Sequence, residues 1–159
     1  MSKSICIRND NYGMYNGTLY RVISVDKSIQ PYVVDLASND KADLKKGFEN
    51  RYSDFMTKKY GFVCHKKVFI SEITEVYEIK TSALYRGKKC YVCPWHEDIQ
   101  LIVNFDRITE AEKIKEIKTW GFTELQYERT TTTFEKIVSV DDPELIIIEE
   151  RKPLDINKL

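Results

Sequence analysis

One stretch of this chain resembles two others, and that limits its possible folds more than any other feature. Lys67 to Val92 reads KVFISEITEVYEIKTSALYRGKKCYV. Its first half, KVFISEITEVYEI, is echoed by Lys136 to Ile148, KIVSVDDPELIII. Its second half, YEIKTSALYRGKKCYV, is echoed by Ile7 to Val22, IRNDNYGMYNGTLYRV. A segment that resembles the end of one unit and the start of another has the form of a junction in a tandem duplication. Units of roughly 70 residues lie near the small end for independent stability, so a shared core or interface is expected.

The order of local signals repeats as well. In the first copy, Tyr15-Asn16-Gly17 is a turn that feeds a strand over Leu19 to Val25, and Tyr32 to Ala37 forms the next strand. Ser38-Asn39-Asp40 reads as a helix cap. A helix is expected from Lys41, with Leu44, Phe48, Tyr52, Phe55 and Met56 on one side and Gly61 ending it. Gly47 lies inside that helix at a propensity cost of about 1 kcal/mol. Strands follow over Phe62 to Ile70 and Val76 to Lys80.

In the second copy, Tyr85-Arg86-Gly87 matches the first turn, and Cys90-Tyr91-Val92 matches Tyr20-Arg21-Val22. Pro94 to Asp98 is expected as a connecting loop and Ile99 to Val103 as a strand. Thr109 to Glu112 has capping-box spacing ahead of a helix with Ala111, Ile114 and Ile117 inward. Trp120-Gly121-Phe122 is matched to Tyr60-Gly61-Phe62, and strands follow near 123–128, 131–140 and 145–149. The offset between copies is then 70 at the turn, 60 at the aromatic-Gly-Phe and 69 at Lys136. The extra residues of the second copy fall around Tyr127 to Thr133, as an extended hairpin. The tail from Arg151 is expected to fray.

The expected fold is therefore α+β: two tandem ββαββ-type repeats, residues 1–80 and 81–159, with mostly antiparallel sheets, pseudo-twofold related and forming one compact domain. Tandem SH3-like barrels are the alternative.

Charge is balanced overall but unevenly placed. Lys41 to Lys67 holds eight Lys/Arg against three Asp/Glu, whereas Glu135 to Glu150 holds one Lys against six Asp/Glu. Zero net charge argues against a bulk electrostatic partner such as DNA. No secretory pattern and no run of about 20 apolar residues is present, so a cytoplasmic location, no membrane and reduced thiols are expected.

Chemistry-bearing motifs are few. Cys90-x-x-Cys93-x-x-His96 is the one stretch that invites zinc, with Cys64 or His65 as a further donor. Against it, Cys90 matches Tyr20 and lies in a strand, which sends Cys90 and Cys93 to opposite faces. A cysteine nucleophile with one of the two histidines has no local support. No glycine-rich phosphate loop, GxSxG or HExxH occurs. No cofactor and no catalytic residue is expected.

The expected function is non-catalytic protein binding, in its most concrete form a bacterial toxin-neutralising immunity protein that occludes its partner. Trp95, His96, Glu97 and Asp98 supply an aromatic anchor beside charges. Tyr127 lies in the unmatched hairpin, and Asp141, Asp142 and Glu144 supply electrostatic steering. The alternative is a nucleic-acid-binding module using residues 41–67, where lysines alternate with Phe48, Tyr52, Phe55, Tyr60 and Phe62. A homodimer is compatible with either.

Overall fold

The computed structural model describes residues 7–159, without the side chains of Gln126 and Tyr127. The chain is mostly antiparallel sheet and falls into two compact units. One contains Asn9–Ile79 and Arg151–Leu159; the other contains Ile7 and Arg8 with Lys80–Glu150. The division falls between Ile79 and Lys80, and each unit also takes in a segment from the other end of the chain. Ile7 packs against the second unit's core, and Leu154, Ile156 and Leu159 pack against the first unit's core. The tail therefore holds apolar contacts rather than fraying.

The first unit comprises β1 (Asp10–Tyr15), β2 (Thr18–Asp26), β3 (Val33–Ser38), a 3-10 helix (Lys41–Lys46), β4 (Glu49–Asn50), α1 (Asp54–Tyr60), β5 (Cys64–Phe69) and the start of β6 (Val76–Tyr85). Its strands pair in the order β4-β5-β3-β2-β1-β6. In the second unit come the end of β6, β7 (Lys88–Trp95), β8 (Asp98–Asp106), α2 (Ala111–Thr119), β9 (Thr123–Tyr127), β10 (Thr131–Val138) and the start of β11 (Leu145–Leu154), whose last four residues belong to the first unit. Here the order is β6-β7-β8-β10-β9, and β11 also pairs with β6.

Each unit has its own core. Val34, Leu36, Phe48, Cys64 and Val68 are buried in the first, and Cys90, Leu101, Val103, Phe105 and Phe134 in the second. Strand alternation dictates this most plainly in β8, where every second residue, Ile99, Leu101, Val103 and Phe105, is apolar and buried.

Both units contain the same arrangement of side chains at the core's rim. Asn16-Gly17 and Arg86-Gly87 close two-residue hairpin turns, with φ of 48° and 79° in one and 50° and 80° in the other. Positive φ at both positions suits the right-handed twist of the flanking strands. Next to these turns, Lys66 Nζ donates to the Tyr15 hydroxyl at 3.0 Å and Lys136 Nζ to the Tyr85 hydroxyl at 3.1 Å. The ammoniums lie 5.1 and 5.0 Å from the same tyrosines' ring centroids. Each also donates to a backbone carbonyl, of Lys46 in one unit and Trp120 in the other. The next residue is Gly47 or Gly121, with φ of 89° and 88°. A Cβ there would come within 3.2 Å of Lys66 Nζ or 3.3 Å of Lys136 Nζ. Phe48 and Phe122 follow, both buried, with rings 4.8 Å from Tyr20 and 5.8 Å from Tyr85.

These contacts correct the spacing read from the sequence. The glycine with the geometry of Gly121 is Gly47, not Gly61. The helix expected over Lys41 to Tyr60 does not run through. It ends at Gly47, whose left-handed backbone closes the 3-10 helix with its N–H on the Asp43 carbonyl. Phe48 then turns into the core while Phe55, on the separate α1, is 73% exposed. α1 buries no residue and is capped by Ser53, whose hydroxyl accepts from the Met56 N–H.

The Thr109 capping box does not form either. The Asp106 carboxylate accepts from the Ile108 and Thr109 N–H groups, and the Glu110 carboxylate accepts from the Asp106 N–H. α2 turns Ile117 into the core and leaves Ala111 exposed. Lastly, Pro94 to Asp98 is not a loop. Pro94 and Trp95 end β7, Asp98 begins β8, and His96-Glu97 form the turn, with His96 at φ 53°.

Candidate protein-binding face

Alternation along β7, β8 and β10 turns Cys90, Val92, Leu101, Phe134 and Val138 inward and their neighbours outward. The outward set in the second unit is Tyr91, Cys93 and Trp95 on β7, then Asp98, Gln100 and Ile102 on β8, then Glu135 and Ile137 on β10. Register brings these side chains side by side. Tyr91 pairs with Ile102, Cys93 with Gln100 and Trp95 with Asp98; across the next seam Ile102 pairs with Glu135 and Gln100 with Ile137. Tyr91 is 67% exposed, Trp95 45% and Ile137 38%. The Trp95 ring stands edge-on to His96, with centroids 5.7 Å apart. In the middle, Gln100 Nε2 donates to Glu135 Oε2.

The residues expected to bind a partner do not all come together. Trp95, His96, Glu97 and Asp98 lie at one hairpin tip. Tyr127 pairs with Thr132, and Thr132 with Phe105. That is the far end of β8, seven residues from Asp98 and about 23 Å away at ordinary strand rise. Tyr127's side chain lies outside the described residues. Glu144 is committed within the unit, to an ion pair with Arg86, whose guanidinium also lies 5.6 Å from the Trp120 ring centroid. Asp142 is used locally, its carboxylate accepting from the Glu144 N–H at 2.9 Å. Asp141 is exposed on the same turn. Tyr91, Ile102 and Ile137 complete the face and were missed from the sequence. The sequence matches Tyr91 only to Arg21 of the first copy; its outward parity is available in the alternation of YVC, but its pairing with Ile102, and that of Gln100 with Ile137, is not.

Cys90, Cys93 and His96 do not converge. Cys90 is buried in the core, Cys93 is on the outward face and His96 is on the turn. Among the described residues, no three His, Cys, Asp or Glu side chains form a metal-holding group. Burial pushes the Cys90 thiol up to about 11. Its thiolate is therefore scarce at neutral pH, as is that of Cys64, whose pKa burial also raises. Mass-spectrometric mapping of alkylation at neutral pH is expected to find Cys93 modified well before Cys64 or Cys90. Equal rates at all three would contradict the burial of those two.

The stretch offered for nucleic acid divides in the same way. Phe48 belongs to the core, while Phe55 and Tyr60 are exposed on α1 beside Lys58 and Lys59. On the first unit's sheet, the outward side chains include Arg21, Asp35, His65 and Lys67, with Phe69 half exposed at the end of β5. His65 Nδ1 lies 3.0 Å from Asp35, and Arg51 lies 3.7 Å from the same carboxylate. No helix among the described residues is long and apolar enough to cross a membrane.

No curated protein and no solved structure matches this chain. A family described as uncharacterised conserved protein UCP033725 matches residues 7–157, across both units and the whole of the face. The chain belongs to that family.

Proposed function

We propose that this protein is a non-catalytic binding protein that covers a protein partner with the outward face of the second unit's sheet. The observation that carries this reading is the contrast between two sheets built alike. Asp35 and His65 stand where Gln100 and Glu135 stand, one outward pair per unit, judged by strand register about Lys66 and Lys136. On the same count, Arg21 and Lys67 occupy the places of Tyr91 and Ile137. A sheet of this pattern forms with charged outward residues, so folding does not require the exposed Tyr91, Trp95 and Ile137. Contiguous exposed apolar residues on a soluble surface mark interaction sites.

The concrete form of the proposal is a toxin-neutralising immunity protein that occludes its partner's active site, with Glu97, Asp98 and Asp141 steering a cationic partner. We also take the two units to be copies of one ancestral ββαββ-type unit, for which the matched Tyr-Lys-Gly-Phe arrangements are the support.

Co-purification from the encoding organism is expected to yield a stoichiometric protein partner. Trp95→Ala or Tyr91→Ala should weaken it by about 2 kcal/mol or more, the scale of a binding hot spot. Lys67→Ala, on the first unit, should leave it unchanged. If the partner binds the Trp95 and Tyr91 variants as tightly as the parent, this face is not the contact. The nucleic-acid alternative is favoured by Phe55 and Tyr60 beside Lys58 and Lys59 on α1. Short single-stranded RNA in the same experiment, bound with steep salt dependence and lost in Phe55→Ala, would move the function to the first unit.

A further inference from the structure

The charges on the second unit's outward face point to the chemistry of what covers it, if the face docks a protein as proposed above. Three carboxylates stand on or beside the apolar residues: Glu97 on the turn, Asp98 opposite Trp95, and Glu135 beside Ile102 and Ile137. Among the described residues, none of the three forms an ion pair. The lysines nearest in sequence are Lys89, two residues before Tyr91 on β7, and Lys136, which follows Glu135 but donates to the Tyr85 hydroxyl and the Trp120 carbonyl. The face therefore sets apolar residues around a polar Gln100–Glu135 pair and is negative at its tip.

That inner carboxylate restricts the partner most. Glu135 accepts a hydrogen bond from Gln100, a neutral amide, which leaves its charge unbalanced. Covering it with an apolar surface would strip its water and supply nothing in return, an expensive burial for an ionised group. A partner that seals Tyr91, Ile102 and Ile137 must bring a cation to Glu135 or leave the carboxylate wet. At the tip the geometry is more selective. An exposed indole lies directly across the strand pair from a carboxylate. A planar guanidinium can stack on the first and hydrogen-bond the second, which a compact ammonium does less well. By strand rise and spacing, Asp98 and Glu135 are roughly 13–14 Å apart.

We propose that the partner meets this face with an arginine-bearing apolar surface, one guanidinium on Trp95 and Asp98, a second cation at Glu135, and aliphatic or aromatic side chains over Tyr91, Ile102 and Ile137. The first unit's sheet, with Arg21, His65 and Lys67 outward, does not offer the same match.

The test uses the full-length chain and defined probes. Four synthetic peptides of one length, alternating leucine with arginine, lysine, glutamine or glutamate, are titrated while the Trp95 indole and Tyr91 resonances are followed by NMR. The arginine peptide should shift both residues and bind at least tenfold more tightly than the glutamine peptide. The glutamate peptide should bind least. Asp98→Asn and Glu135→Gln, both surface changes whose folding is checked by circular dichroism, should each reduce the arginine preference several-fold. Raising ionic strength from about 0.05 to about 0.5 M should do the same by screening. If the glutamine and arginine peptides bind this face equally, the charge inference is overturned and the docking reading stands. If lysine binds as tightly as arginine, the stacking at Trp95 is overturned. If no peptide shifts Trp95 or Tyr91, or all shifts fall elsewhere, both this inference and the docking reading fail.

Discussion

Phe134→Ala is expected to destabilise the second unit by about 3–5 kcal/mol, the range for truncating a buried aromatic ring. Phe134 is 1% exposed, stands edge-on to Phe105 with centroids 6.2 Å apart, and receives Lys118 Nζ over its ring at 5.8 Å. It is held on both sides by pairing, to Val103 on β8 and Glu124 on β9. A backbone paired on both edges relaxes little, so most of the cavity should persist. The first unit has Cys64 at the corresponding register position, also fully buried. Cys64→Ala removes a single heavy atom and should cost only about 1 kcal/mol. Urea denaturation read by circular dichroism checks the pair. A loss under 1 kcal/mol for Phe134→Ala would mean that the ring is not the packing centre of its unit.

Asp43→Ala should cost about 3 kcal/mol in the first unit, from the unpaired donors it leaves. Asp43 is 4% exposed. Its carboxylate accepts from the Tyr20 hydroxyl at 3.0 Å and the Ser38 hydroxyl at 2.5 Å, and Lys46 Nζ lies 3.1 Å away. Through these contacts it ties the 3-10 helix to β2 and β3, which holds Gly47 and Phe48 in place.

Burial alone would raise its pKa, but the bonds from Ser38, Lys46 and Tyr20 and the Lys46 charge outweigh it and hold the carboxyl below its ordinary 3.8. Because the folded pKa is the lower one, the contribution is complete above the unfolded value. It is lost as pH falls through the folded one. Asp43→Asn keeps the shape without the charge. Its stability deficit relative to the parent should be constant from neutrality to about pH 5 and shrink below about pH 4, near the unfolded aspartate value. A deficit that does not change down to pH 2 would mean that ionised Asp43 is not what the network stabilises.

These two variants test parts of the fold that differed in how far the sequence revealed them. The strand that carries Phe134 was legible, as one of those expected near 131–140. Asp43 was not. It sat inside an apparent helix as one of three acids among eight basic residues, where it read as a solvent-facing charge. Only the fold of Gly47 and the approach of β2 and β3 make it a buried acceptor. The same glycine misled the helix assignment. A run of Leu44, Phe48, Tyr52, Phe55 and Met56 satisfies a helical period, and period alone cannot register one left-handed residue that cuts the run.

The candidate face divides likewise. Trp95 and its acidic neighbours were legible as an unusual cluster in one hairpin, because they are adjacent in sequence. Tyr91, Ile102 and Ile137 come from three strands, and strand register is a long-range property. Glu144 was assigned to steering, since nothing local shows that Arg86 has already claimed it.

What the sequence determined by itself was the turn chemistry at Asn16-Gly17 and Arg86-Gly87, the antiparallel strands around them, and the inward place of Cys90 in its strand. Each follows from local spacing and alternation, which neighbouring residues impose on one another. The tertiary structure alone decided that Gly47 matches Gly121, that the ends of the chain are exchanged between the two units, and that an outward sheet face carries Tyr91, Trp95 and Ile137 around Glu135. Those depend on which strands pair and in what register, a choice made by the burial of residues far apart in the chain.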